Sequence, residues 1–299
     1  MREWHEAATP EEAFHRQWVC QVLSTMRLEV LPGVNVADLF TKIPPSSTLT
    51  FTVTASPAQG PQATVETSRA LRQYGVRVVP HLAARTIRDQ DELDHLWEQL
   101  AAVGIDEVFV VGGDQEQPAG HFPDGLALLQ ALRALRHGPK RLGVPGYPEG
   151  HPSIPDDRLR TSLLAKQELA DYAVLQISFD PDAVLTWLSQ MRELGFRLPV
   201  YLCLPGTLRL DRLFRIGLRL GLGNSLRYLE KQRGLVGHLL AGGMRYDPWQ
   251  LIGELARRPP TPQVGIVGIH WSTFNAVEGV LRWVTAKQAE LGCTVEGRD

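Results

Sequence analysis

Glu29, Asp114 and Gln176 each stand inside or at the end of a short apolar run, and each belongs to a residue type that can move a proton or steady a charge. Glu29 interrupts Arg27-Leu28-Glu29-Val30-Leu31, a stretch otherwise built for burial. A carboxylate there, aimed into a pocket, is desolvated and holds its proton towards neutrality, which suits a general acid; the alternative is an ion-paired glutamate facing a neighbouring helix. Asp114 follows Gly112-Gly113, where glycines let backbone come close to a ligand. Its carboxylate can accept from a heterocycle's amino edge and steady a developing cation, or merely bond its own turn. Gln176 sits among apolar neighbours, where an amide needs a partner, either a ligand or a structural group. His81 lies just past Val78-Val79-Pro80, and Tyr147 and His151 share the run Gly146-Tyr147-Pro148-Glu149-Gly150-His151-Pro152. These histidines read as ligand-contacting donors or as ordinary structural residues. Neither has a sequence-adjacent carboxylate or cysteine that would suggest a nucleophile or a metal ligand.

Several chemistries drop out. No Gly-x-Ser-x-Gly elbow, His-Glu-x-x-His pair or P-loop occurs, and no Gly-x-Gly-x-x-Gly follows the first strand. Gly221-Leu222-Gly223 follows a helical pattern and reads as a helix stop. With 31 basic against 33 acidic side chains and no basic run, nothing predicts affinity for nucleic acid or an anionic membrane. The three cysteines, Cys20, Cys203 and Cys293, have no CxxC spacing, which predicts isolated thiols in a reducing compartment and neither zinc nor a disulfide. The first residues lack the apolar core of a signal peptide, and no apolar stretch approaches the ~20 residues of a membrane span. The expectation is a soluble, cytoplasmic protein.

Something must hold these scattered side chains together. An opening helix is predicted over about 9–25, with Thr9 as N-cap, Pro10 in its first turn and Glu12 closing a capping box. Short β-branched runs then recur at 27–31, 48–54, 76–80, 107–111, 141–144, 172–177, 198–203 and 264–270. Amphipathic segments at 61–74, 89–102, 122–136, 156–169, 181–194 and 208–220 separate most of them. That alternation predicts an α/β fold: one (β/α)₈ TIM barrel over about 26–291, with a polar tail at 292–299. The first crossover, 32–45, is short. The seventh unit is long, with extra helices near 225–232 and 248–257 that either cap the barrel or pack on another subunit, so a homo-oligomer stays open. In such a barrel the carboxyl ends of the strands converge, and the candidate residues meet there.

Taken in order, the runs resemble the methylenetetrahydrofolate reductase family over nearly the whole barrel. Glu29 followed by Pro32 is similar to the family's Glu-Phe-Phe-Pro, Pro80-His81-Leu82 to its third-strand ending, and Gly113-Asp114 to its Arg-Gly-Asp. The Tyr147–Pro152 run resembles Tyr-Pro-Glu-x-His-Pro, and Gln176-Ile177-Ser178-Phe179-Asp180 resembles Thr-Gln-x-x-Phe-Asp. Gly268-Ile269-His270-Trp271-Ser272-Thr273-Phe274-Asn275 is similar to Gly-Ile-His-Phe-Tyr-Thr-Leu-Asn.

The resemblance implies reduction of 5,10-methylenetetrahydrofolate to 5-methyltetrahydrofolate with NADH or NADPH. Glu29 would be the general acid, Asp114 the pterin anchor that favours a cationic intermediate, and Gln176 the residue that positions folate and reductant. It also implies cofactor contacts at Thr54, His81, Gly113, Tyr147, His151 and Lys166. Here the chain departs from the family. The expected Thr-Tyr-Gly is Thr54-Ala55-Ser56, and the diphosphate-binding helix reads Arg158 to Gln167, with Lys166 matching only after a one-residue shift. The acid and folate positions are better kept than the FAD positions. That leaves open direct hydride transfer from the nicotinamide, an FAD-dependent version of the same reaction, and a barrel that binds folate or a partner without catalysis.

Overall fold

The computed structural model describes residues 10–219, 245–258 and 265–293. Eight parallel strands close into a barrel in chain order: β1 (Met26–Val30), β2 (Thr50–Val53), β3 (Arg77–Ala83), β4 (Glu107–Val111), β5 (Arg141–Gly146), β6 (Tyr172–Leu175), β7 (Val200–Pro205) and β8 (Ile266–Ser272). The closing pair sets Arg27 opposite His270 and Glu29 opposite Ser272. This is the predicted TIM barrel.

The period-2 pattern of the strands sorts side chains into two cores. Leu28, Val30, Phe51, Val53, Leu82 and Leu142 point outward to the helices and are fully buried. Each such side chain contributes about 1.5–3 kcal/mol on removal from water. Val79, Phe109, Tyr172, Val174, Tyr201 and Cys203 form a second cluster inside the barrel. The interior also holds charge. At its amino end the Arg27 guanidinium is 2.6 Å from Glu107, donates to the Tyr172 hydroxyl at 2.7 Å, and lies 4.2 and 4.3 Å from the centres of the Tyr172 and Tyr201 rings. Glu29 is the next inward-facing residue along β1.

Among the described residues the helices are α1 (Pro10–Ser24), α2 (Val36–Lys42), α3 (Gly60–Arg72), α4 (Gln90–Ala101), α5 (Gly125–Ala134), α6 (Asp156–Lys166), α7 (Pro181–Glu193), α8 (Leu210–Arg219), α9 (Trp249–Arg257) and α10 (Val277–Leu291). Asp89, Asp124 and Asp180 start α4, α5 and α7 by accepting backbone N–H groups of the first turn. Asp180, part of the run that begins at Gln176, therefore has a local job: it accepts from Asp182 N at 2.9 Å and Ala183 N at 3.3 Å.

The short 32–45 crossover carries a helix, α2, capped by the Asn35 side chain. Two expectations need correction. His81 lies within β3, because that strand runs on to Ala83 past its proline. Cys20 and Cys293 form a disulfide with a Cα–Cα distance of 5.4 Å, leaving Cys203 as the buried free thiol. Pairing β1 with β8 brings the two ends of the barrel chain side by side, which cysteine spacing does not reveal. Thr9, the 225–232 segment and residues 294–299 lie outside the described residues. Among the described residues no helix is long and apolar enough to cross a membrane.

Candidate active site

Glu29 is held by its neighbour β8. His270 Nε2 lies 3.0 Å from Glu29 Oε2, and the Ser272 hydroxyl donates to Glu29 Oε1 at 3.0 Å. The loop after β8 pins the backbone on either side. The Thr273 hydroxyl donates to the Glu29 carbonyl at 2.5 Å, and Asn275, at a left-handed φ of 64°, accepts from Leu31 N–H at 2.9 Å. His270 and Ser272 thus hold the carboxylate, and Thr273 and Asn275 hold the backbone that carries it.

These contacts overturn the expectation that Glu29 holds its proton. Burial pushes its carboxyl up, but the hydrogen bond and charge of His270, with His81 and Ser272, outweigh it and leave the group below the usual carboxylate range. The sequence showed no carboxylate–histidine pattern; the fold makes one from residues 241 positions apart. His270 and Ser272 were not singled out as site residues. The period-2 register would have marked both, since they share a parity that faces inward on β8.

Glu29, His81 and His270 are the described residues that bring three ligand-type atoms within 4.8 Å of one another. Glu29 Oε2 and His270 Nε2 are already hydrogen-bonded together, so no metal is assigned to them. His81 is buried, and its Nε2 has no hydrogen-bond partner among the described residues. Burial, reinforced by His270 and Arg27 and opposed by Glu29, brings its imidazole down to about 3. It is neutral at physiological pH.

A cavity of about 460 Å³ opens above this pair at the carboxyl ends of the strands. Glu29, His81, Asp114, Tyr147, His151 and Gln176 all line it, with Cys203 and His270 deeper in the wall. The volume lies in the usual range for small-molecule sites. Gln176 is one residue past the end of β6, with its N–H bonded to Gly146 at 2.8 Å, and not in mid-strand as expected. Burial, with the charge of Asp114 adding to it, pushes the Tyr147 phenol up to about 12. Its ring meets His151 edge-on at 5.5 Å.

A second cavity of about 170 Å³ shares Tyr147 and Pro145 with the first and is lined by Arg158, Arg160 and Lys166, with Asp124 and Asp156 beside them. Burial pulls the Lys166 ammonium down, against the charge of Asp124. Three cations against two carboxylates fit the diphosphate of a dinucleotide, whether of a nicotinamide or of a flavin.

Two expected contacts stand apart. Gly113 and Thr54 line neither cavity. Gly113 takes a φ of 95°, the left-handed turn that places Asp114 at the rim. Thr54 uses its backbone, donating to the Val30 carbonyl and accepting from the Thr64 hydroxyl at 2.9 Å.

The sequence profile of the family described as methylenetetrahydrofolate reductase matches residues 34–213. Methylenetetrahydrofolate reductase (NADH) 1 of Arabidopsis thaliana is 27% identical over 151 residues, 44% of this chain and 25% of that protein. Methylenetetrahydrofolate reductase 2 of Saccharomyces cerevisiae is 26% identical over 125 residues, 38% of this chain and 20% of its own length. The probable NADPH enzyme of Caenorhabditis elegans is 26% identical over 167 residues, 53% of this chain and 25% of that protein. The matched stretches thus span a quarter or less of these relatives. Among solved structures, an uncharacterised Clostridium thermocellum protein that binds two copies of 5-methyl-5,6,7,8-tetrahydrofolic acid superposes with a TM-score of 0.59. It covers 93% of this chain and 99% of its own at 11% identity, a likeness of fold alone. With the profile spanning more than half of its length, the chain belongs to the methylenetetrahydrofolate reductase family.

Proposed function

We propose that the protein reduces 5,10-methylenetetrahydrofolate to 5-methyltetrahydrofolate at the 460 Å³ cavity, with NADH or NADPH as the source of hydride. One observation carries this reading: the Glu29 carboxyl, fixed by His270 and Ser272, faces the same cavity as Asp114 and Gln176. Opening the five-membered ring of the folate needs a proton at the departing nitrogen, and Glu29 is placed to deliver it. The methylene carbon then becomes an iminium, and the Asp114 carboxylate across the cavity steadies that cation. Gln176 holds the pterin edge and the reductant in reacting order. The reduced nicotinamide supplies a hydride. His81, neutral and with a free Nε2, accepts or donates one hydrogen bond to a ring in the cavity, and Tyr147 and His151 wall it from water.

Lys166, with Arg158 and Arg160, would hold a diphosphate in the side cavity. Direct transfer from nicotinamide is favoured by the altered 54–56 loop, where Thr54 is bonded through its own backbone to Val30 and to the Thr64 hydroxyl. The basic side cavity supports FAD as the second reading.

The test is NADH oxidation dependent on methylenetetrahydrofolate, with and without added FAD, beside an absorbance spectrum. Colourless protein that turns over supports direct transfer, and a requirement for FAD supports the second reading. Folate binding without turnover under either condition would replace reduction with a binding role.

A further inference from the structure

A carboxylate held below its usual range has no proton to give near neutrality, yet the proposed reaction consumes one at Glu29. A neighbour that shares a hydrogen-bonded proton with the carboxylate would supply it, and one such contact, to His270, is made at 3.0 Å. The neighbours that face the pair are few, and most do not qualify. His81, on β3, is neutral well into the acid range. The Cys203 thiol, on β7, is pushed far up by burial and by Glu29, and the Tyr147 phenol sits at about 12. Ser272 offers a hydroxyl, Asp114 is a carboxylate on the opposite rim, and Arg27, one layer below, keeps its proton at any working pH. His151 lies on the cavity wall, bonded through Nδ1 to Ser153. That leaves His270. Its Nε2 is 3.0 Å from Glu29 Oε2, its side chain is 3% exposed, and its Nδ1 finds no hydrogen-bond partner among the described residues. All the hydrogen bonding of this ring is directed at Glu29.

We propose that His270 is a positioning residue that keeps one exchangeable proton beside Glu29, in the Nε2–H···Oε2 bridge, and that this proton, handed on through Glu29, opens the folate ring. The inference rests on the reductase reading above. In the step, the bridge proton moves from His270 Nε2 onto Glu29 Oε2 and from Glu29 to the departing ring nitrogen, which leaves Glu29 a carboxylate and His270 neutral. The bond between the methylene carbon and that nitrogen breaks, its electron pair staying on nitrogen. The carbon, now an iminium with the other nitrogen, takes a hydride from the reduced nicotinamide, which leaves oxidised. Neutral His270 regains a proton from solvent. Each turnover uses one proton and one hydride, and Ser272 keeps the carboxylate from rotating away while the proton passes.

The decisive variant is His270→Gln, which keeps an N–H donor but carries no transferable proton. Its kcat is expected to fall about 10²-fold or more, as for loss of general acid–base function. The folate KM should stay within about threefold, because the hydrogen bond to Glu29 is retained. Wild-type activity should fade on the alkaline side as the pair loses its shared proton. The variant should instead lose activity as pH rises from the acid range, following Glu29 alone. A low-field proton resonance from the bridge should be present in the wild type and lost in both His270→Gln and Glu29→Gln. Wild-type kcat with an unchanged pH profile in His270→Gln would overturn the proposal, and so would absence of the bridge resonance. If the wild type shows the resonance but reduces no folate, the reductase reading fails and the shared-proton pair stands.

Discussion

His81 shows how far a single site can set the pH response of the molecule. Its folded imidazole titrates at about 3, far below the usual value of 6.5. Between those limits the unfolded chain binds a proton that the folded chain refuses, so stability falls as pH is lowered through that window, by at most about 1.4 kcal/mol per pH unit. Glu29 acts with the same sign at lower pH: its folded carboxyl is depressed, so its contribution is present above the usual carboxylate range and fades as acid protonates the group. Equilibrium denaturation between pH 7 and 4 should show the loss, and His81→Asn should flatten it; an identical slope in the variant would exclude His81 as its source. At this scale Glu29, Asp114 and Gln176 were legible because a polar residue in an apolar run is costly without a purpose. The protonation state of Glu29 was not, since it depends on His270 and Ser272, which only barrel closure brings alongside.

Among the elements, β5 and β6 depend on one close approach. A Cβ built on Gly143 would stand 2.2 Å from the ring of Tyr172, which is fully buried and whose hydroxyl is held by Arg27. The ring has nowhere to retreat, so Gly143→Ala should destabilise the protein by about 1–3 kcal/mol or more, as overpacking does. A thermal midpoint within a degree of wild type would show that the interior yields. The strands themselves were readable from their β-branched runs, though their ends moved by a few residues. β8, expected to stop at His270, continues to Ser272. That two-residue extension puts Ser272 within reach of Glu29. α2 escaped notice because seven residues, with Val36 and Leu39 as its buried side chains, form barely two turns of periodic signal.

For the whole molecule, closure is covalent as well as hydrogen-bonded. The Cys20–Cys293 bridge joins α1 to the residue just beyond α10 across a sequence separation of 273 residues. A bond closing so long a loop restricts the unfolded chain, and such bridges typically contribute about 2–4 kcal/mol. Cys20→Ser, or treatment with reductant, should therefore lower the thermal midpoint by several degrees without changing the cavity at the carboxyl ends of the strands; no shift on reduction would mean that the bridge adds nothing to stability. The TIM barrel itself was visible in the alternation of strands and helices, whereas the bridge depends on which ends of the chain meet. The same closure pairs β1 with β8 and so builds the Glu29–His270–Ser272 arrangement on which the proposed chemistry depends. Steady-state oxidation of NADH with methylenetetrahydrofolate, by the wild type and by Glu29→Gln, tests that chemistry most directly. Folate-dependent turnover by the wild type and a kcat lower by about 10²–10⁴-fold in the variant is the predicted result; undiminished turnover in Glu29→Gln would contradict it.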